Sequence, residues 1–186
     1  PIGLTLAVPG IVEPATGIVF DAPNLGWREV PVTEPMRLLL GNPDFPILLD
    51  NEANLAALAE LDVRGPDDAQ ELLLLTGAAG VGGGVVSGGR LLRGRRGFAG
   101  EIGHMQVDRD GQPCRCGRLG CWETVVGLNA LLGTAADKDD PVRDPSVDVV
   151  QRLEDLRARA EAGDERTLAA INQVGDWLAA GCGSLV

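Results

Sequence analysis

Residues 104–124, HMQVDRDGQPCRCGRLGCWET, gather the chain's single histidine and three of its four cysteines. One imidazole and three thiols spaced H-x9-C-x-C-x4-C match a closed tetrahedral Zn²⁺ site of the Cys₃His type, with His104, Cys114, Cys116 and Cys121 as ligands. The intervening arginines favour thiolate and the glycines permit tight turns. A pair of disulfides or free buried thiols is the alternative, and three clustered cysteines in a chain expected to be cytosolic make bridges the poorer account. Because such a site keeps no open position, the metal is expected to shape the loop rather than activate water. Cys182 stands apart on a late helix and reads as a small buried apolar residue.

Three further groups carry polar chemistry. Glu101, about one helical turn before His104, and Glu123, two places after the last cysteine, can flank the imidazole as acceptors for sugar hydroxyls, or can be solvated surface charge. Asp50-Asn51-Glu52-Ala53-Asn54 places two carboxylates and two amides at a strand-to-helix junction, where ligand-binding side chains are commonly presented; helix capping by Asp50 or Asn51 explains it equally well. TGAAGVGGG at 76–84 reads as a glycine-rich turn of the kind that cradles phosphate, although it lacks a lysine and fits neither common nucleotide motif.

The elements that must position these groups follow from local patterning. Residues 2–8 form a short β-rich run ended by Pro9-Gly10, and 11–20 reads as two strand pieces around a Pro-Ala-Thr-Gly turn. A helix near 33–41, a buried strand at 46–50 and a helix running to Gly65 come next. ELLLLT (71–76) reads as a central strand, and VVSGGRLLRG (85–94) as a return hairpin. Residues 134–146 read as a polar linker before two amphipathic helices separated by Gly163, the second capped by Asp164. A lobe boundary is expected at GPDDA, giving lobes of 1–65 and 66–186.

Composition narrows the function classes. With 45% hydrophobic residues in 186, the chain can bury a substantial core. Its net charge of −11 and 3% aromatic content exclude a nucleic-acid surface on this segment, which would need clustered cations or stacking rings. No apolar run reaches the roughly 18 residues of a membrane span, and the N-terminal residues do not form a signal peptide, so a cytoplasmic setting is expected. Starting at Pro1 and stopping at Val186 within an apolar helical pattern, the chain reads as a segment of something longer.

PGIVEPATGIVFDAPNLGW, LLDNEANLAALAE, the glycine turn, RRGFAGEIGHMQVD and CRCGRLGCWET occur in an order that resembles the ROK family of repressors, open reading frames and sugar kinases. The resemblance covers residues 1–133. It implies an α/β actin-like ATPase (ribonuclease H-like) fold of two lobes, here truncated, with sugar in the interlobe cleft, a structural zinc and a homodimer. It implies sugar contacts at Gly10, Asn51, Glu52, Glu101, His104 and Glu123, and metal ligation by His104, Cys114, Cys116 and Cys121. Gly80, Gly82 and Gly83 would be the remnant of a phosphate loop.

Two departures from the kinase pattern decide the expected function. Family kinases carry Asn-Asp-x-Asn with the aspartate as general base, where this chain has Asn51-Glu52-Ala53-Asn54. Their G-T-G-x-G-G becomes Ala78-Ala79-Gly80-Val81-Gly82-Gly83, without the threonine hydroxyl. Both weaken ATP chemistry, and Asn-Glu-Ala-Asn resembles the xylose-repressor branch. The expectation is therefore a sugar-sensing part of a transcriptional repressor, contacting DNA only through a helix-turn-helix outside this chain. The alternative is an ATP-dependent sugar kinase using Glu52 as base.

Overall fold

The computed structural model describes residues 1–65, 70–77 and 80–185. Most of the GPDDA boundary and both alanines of the glycine turn, Ala78 and Ala79, lie outside the described residues. The chain folds as two compact units, Pro1–Thr76 with Gly82–Glu101, and Gly77–Val81 with Ile102–Val186. The strands of 72–91 therefore fall mostly with the first unit, whereas the sequence grouped them with the metal loop.

In the first unit, β1 (Leu4–Val8) pairs in parallel with β5 (Ile47–Asn51), in a register that sets Ala7 beside Asp50 and Val8 beside Asn51. Between them the chain makes an antiparallel meander of β2 (Ile11–Glu13), β3 (Ile18–Ala22) and β4 (Trp27–Pro31), followed by helix α1 (Thr33–Leu39). Val8, Val12, Val19, Ala22 and Leu49 form its core. The β2–β3 pairing has a register irregularity at Ile11/Val12, next to Gly10, whose φ of +97° is a left-handed conformation that only glycine adopts readily. Helix α2 (Glu52–Arg64) leaves β5 directly and stops at Gly65, with φ +81°.

The sheet of β6 (Leu72–Gly77), β7 (Val81–Ser87) and β8 (Arg90–Leu91) corrects two expectations. Among the described residues β6 is at the edge of this sheet, not its centre. Gly82, Gly83 and Gly84 lie inside β7 rather than in a turn. At two of these positions the reason is packing: a side chain at Gly84 would collide with the Ala57 methyl of α2, and one at Gly82 would press on the Thr76 hydroxyl at 3.1 Å.

The second unit is helical beyond the metal loop. Short helices α3 (Glu123–Val126) and α4 (Leu128–Ala135) precede α5 (Val149–Glu161) and α6 (Glu165–Gly183). Asp164 caps α6 by accepting from the Thr167 amide at 2.8 Å, and Gly163 turns the chain at φ +84°. Residues 134–146 are not a linker. Ala135, Ala136 and Val142 are buried with Leu132, Leu156 and Ala170 in this unit's core, and Arg152 donates to the Val142 carbonyl at 2.8 Å. No described helix is long and apolar enough to cross a membrane.

Candidate functional site

A 3₁₀ turn at Ile102–His104 starts the loop that gathers the sulfur ligands. Two isolated antiparallel bridges, Gln106 with Cys121 and Pro113 with Leu119, fold the loop back on itself. The Trp122 amide donates to the Met105 carbonyl at 2.8 Å, and the Cys114 amide to the Arg118 carbonyl at 2.8 Å. Histidine and cysteines distant in sequence are thereby brought together. Gly120, at φ +63°, is required because a side chain there would run into the Asp108 carbonyl.

The result is a four-donor cluster. One ligand atom each from His104, Cys114, Cys116 and Cys121 lies within 4.8 Å of all the others. Cys114 Sγ is 3.5 Å from His104 Nδ1, and Cys116 Sγ is 3.5 Å from Cys121 Sγ. A tetrahedral metal with bonds of about 2.3 Å to sulfur and about 2.0 Å to nitrogen has S···S edges of about 3.8 Å and S···N edges of about 3.5 Å. The cluster fits a tetrahedral ion, and its three cysteines form no disulfide. Cys182 is half-buried and lies outside the cluster.

The thiols differ in their readiness to ionise. Burial, then the hydrogen bond to Glu123, pushes the Cys114 thiol well above its ordinary range. Burial, then the Cys116 thiol, also raises Cys121. At Cys116 burial is the largest influence and opposes ionisation, but the Arg118 amide and the two neighbouring thiols together outweigh it and lower its pKa. Cys116 is also the exposed member of the set, so it is the sulfur that solvent reaches.

Glu123 sits against this cluster at the first position of α3. Its Oε1 accepts from Cys114 Sγ at 2.9 Å and lies 3.5 Å from His104 Nδ1. Glycine at 80 leaves room for the same carboxylate, since a side chain there would stand 2.8 Å from Glu123 Oε2. Gly80, singled out as a phosphate-loop remnant, thus borders a carboxylate. Trp122 is a residue the sequence reading missed. It is fully buried between Cys121 and Glu123, and its indole N–H donates to the Trp177 carbonyl of α6 at 2.7 Å. A lone tryptophan in a cysteine-rich loop carries no local mark of such a role.

In the first unit the strand-to-helix junction is closely determined. Asn51 caps α2, its Oδ1 accepting from the amides of Ala53 at 2.8 Å and Asn54 at 3.3 Å. Its Nδ2 donates to the Gly10 carbonyl at 2.9 Å, so two residues named as sugar contacts touch each other directly. Capping and ligand presentation are compatible here, because the amide keeps a second N–H. Glu52 is the exposed first residue of α2. Glu101 closes the first unit, and His104 and Glu123 belong to the second.

The family model of the ROK family matches residues 1–186. The chain belongs to the ROK family. Its α/β architecture is accordingly part of the actin-like ATPase fold. Among its relatives in this family, a glucokinase of Halalkalibacterium halodurans is 34% identical over 184 residues, covering 95% of this chain and 55% of that protein. A xylose repressor of Caldicellulosiruptor bescii is 31% identical over 191 residues, covering 100% of this chain and 47% of that protein. The crystal structure of a ROK hexokinase from Thermus thermophilus superposes with a TM-score of 0.78 at 33% identity, over 100% of this chain and 58% of the other. The chain thus spans about half the length of the relatives it matches.

Proposed function

We propose that this ROK chain is the sugar-sensing part of a transcriptional regulator of carbohydrate metabolism, holding a sugar effector rather than phosphorylating it. The observation that carries this reading is Glu52, which stands at the head of α2 where kinases of the family carry aspartate. A carboxylate moved out by one methylene can still accept from a sugar hydroxyl, but phosphoryl transfer depends on placing the base, and a misplacement of about 1 Å can cost on the order of a hundredfold. Alanine in place of the phosphate-loop threonine points the same way.

In this reading Gly10, Asn51, Glu52 and Glu101 of the first unit and His104 and Glu123 of the second supply the hydroxyl contacts. His104, Cys114, Cys116 and Cys121 hold zinc, whose preference for thiolate and imidazole suits that donor set. When bound, zinc supplies no reaction chemistry but fixes the loop that carries His104 and Glu123. With Cys114 as a thiolate ligand, its proton released to solvent, Glu123 Oε1 would no longer hold the donor it now has and would be available to a hydroxyl. The regulator is read as a cytoplasmic homodimer that meets operator DNA through a separate helix-turn-helix, in line with a net charge of −11 on this chain.

The competing reading is an ATP-dependent sugar kinase with Glu52 as base, favoured by the 34% identity to a glucokinase. An operator mobility shift of the intact protein, with and without D-xylose or D-glucose, combined with an ATP-coupled phosphorylation assay, separates the two. Sugar-dependent release of DNA without product supports the sensor. Turnover that Glu52→Gln abolishes establishes the kinase.

A further inference from the structure

Two segments of the first unit carry all of its expected sugar contacts apart from Gly10: the β5–α2 junction, with Asn51 and Glu52, and the stretch after β8 that ends at Glu101. They are far apart in sequence, and a partly buried ion pair links them. Arg93 donates from Nε at 3.2 Å and from Nη2 at 2.6 Å to Asp50 Oδ2. The other oxygen, Asp50 Oδ1, accepts from the Asn51 amide at 2.8 Å and from Asn54 Nδ2 at 3.1 Å. Each oxygen therefore takes two hydrogen bonds. The Asp50 side chain is only 8% exposed, a setting in which loss of one partner leaves a charge without compensation.

Position makes this pair more than a fastening of the core. Asp50 immediately precedes Asn51, whose own side chain caps α2 and reaches Gly10. A shift of Asp50 would thus move the cap, the Gly10 contact and the head of the helix that presents Glu52. On the other side, Arg93 begins a segment fixed along its length. Its carbonyl accepts from the Ala99 amide at 3.0 Å. Arg96 donates to Glu13 at 2.9 Å and stacks 4.8 Å from the Phe98 ring, which meets Phe20 at 5.2 Å. Gly97 passes so close to Val12 and Pro14 that a side chain would stand 2.6 Å from the proline ring.

We propose that Arg93 is a positioning residue of the sugar site, which through Asp50 sets Asn51 and Glu52 in register with the segment carrying Glu101. This inference rests on the sugar-binding reading above. The fork geometry matters as well as the charge, because both donors land on one oxygen and leave the other to the junction itself; a lysine ammonium cannot reproduce that pair of fixed N–H vectors.

The test is calorimetric titration of D-xylose and D-glucose into the intact metal-loaded protein and its variants, with melting temperature and metal content recorded for each. Arg93→Lys keeps the charge that neutralises Asp50, so it should fold with near wild-type melting and metal content yet bind sugar about tenfold more weakly; Arg93→Ala should bind more weakly still. Arg159→Lys is the control, since Arg159 also makes two hydrogen bonds to one carboxylate, one to each oxygen of Asp140 in the other unit, and should leave sugar affinity unchanged. If Arg93→Ala does not fold, Arg93→Lys decides. Folded Arg93→Lys with sugar affinity within about twofold of wild type overturns the proposal, as does an equal loss in Arg159→Lys. A wild-type protein that binds neither sugar removes the underlying reading instead, which the wild-type titration reveals by itself.

Discussion

The indole N–H of Trp122 donates to the main-chain oxygen of Trp177 at 2.7 Å, fastening the metal loop to the middle of α6. On the same helix, Gly181 lies so close that any side chain would enter the Trp122 ring. The loop's shape thus depends on a helix that begins more than forty residues later in the sequence. Gly181→Ala is expected to destabilise the protein by about 1–3 kcal/mol through overpacking, read as a lower urea midpoint. Trp122→Phe, which keeps most of the ring but loses the N–H, is expected to lose about 1 kcal/mol. Equal stability of Gly181→Ala and wild type would contradict this contact.

Cys116 offers the cleanest way to test the proposed metal site, since it is exposed and its replacement opens no cavity. Cys116→Ser is expected to lower metal content from about one ion per chain to well below half, with a fall in melting temperature, whereas Cys182→Ser leaves metal content unchanged. Elemental analysis after gel filtration reads both. Full occupancy in Cys116→Ser would show that the cluster is not a four-ligand site.

Asp140 provides the pH dependence. The two-pronged Arg159 hydrogen bonds, then the Val142 amide, hold its carboxyl at about 2, below the ordinary 3.8. The folded state therefore binds this proton less readily than the unfolded chain. The stabilisation is complete above about pH 4 and fades as pH falls from there towards 2. Because the pair is partly solvated, its worth is about 1 kcal/mol. The gap in urea midpoint between wild type and Asp140→Asn should be present at pH 6 and shrink strongly at pH 2.5. A gap that is the same at both values would remove Asp140 from the acid response.

Where the sequence spoke, it did so through local chemistry. The β-rich run ended by Pro9-Gly10, the Gly163-Asp164 punctuation between α5 and α6, and the spacing of His104 with three cysteines each reflect interactions of near neighbours. What escaped it was tertiary. β4, reading Trp-Arg-Glu-Val-Pro, is mostly exposed and lacks apolar alternation, so only its pairing with β3 makes it a strand. Residues 134–146 look solvated from their charges, yet Ala135, Ala136 and Val142 are core. Gly82 and Gly84 suggest a turn until α2 is placed against them. Asp50 and Arg93, 43 positions apart, carry no mutual signal in the sequence at all.

The central claim is that this chain recognises a sugar and does not transfer phosphate to it. Calorimetry of D-xylose and D-glucose added to the intact, zinc-loaded protein, with and without MgATP, reports binding and turnover in one trace. The account predicts saturable heat for at least one sugar, unchanged by MgATP and followed by a flat baseline. Sustained heat of reaction with MgATP, or no binding of either sugar, would contradict it.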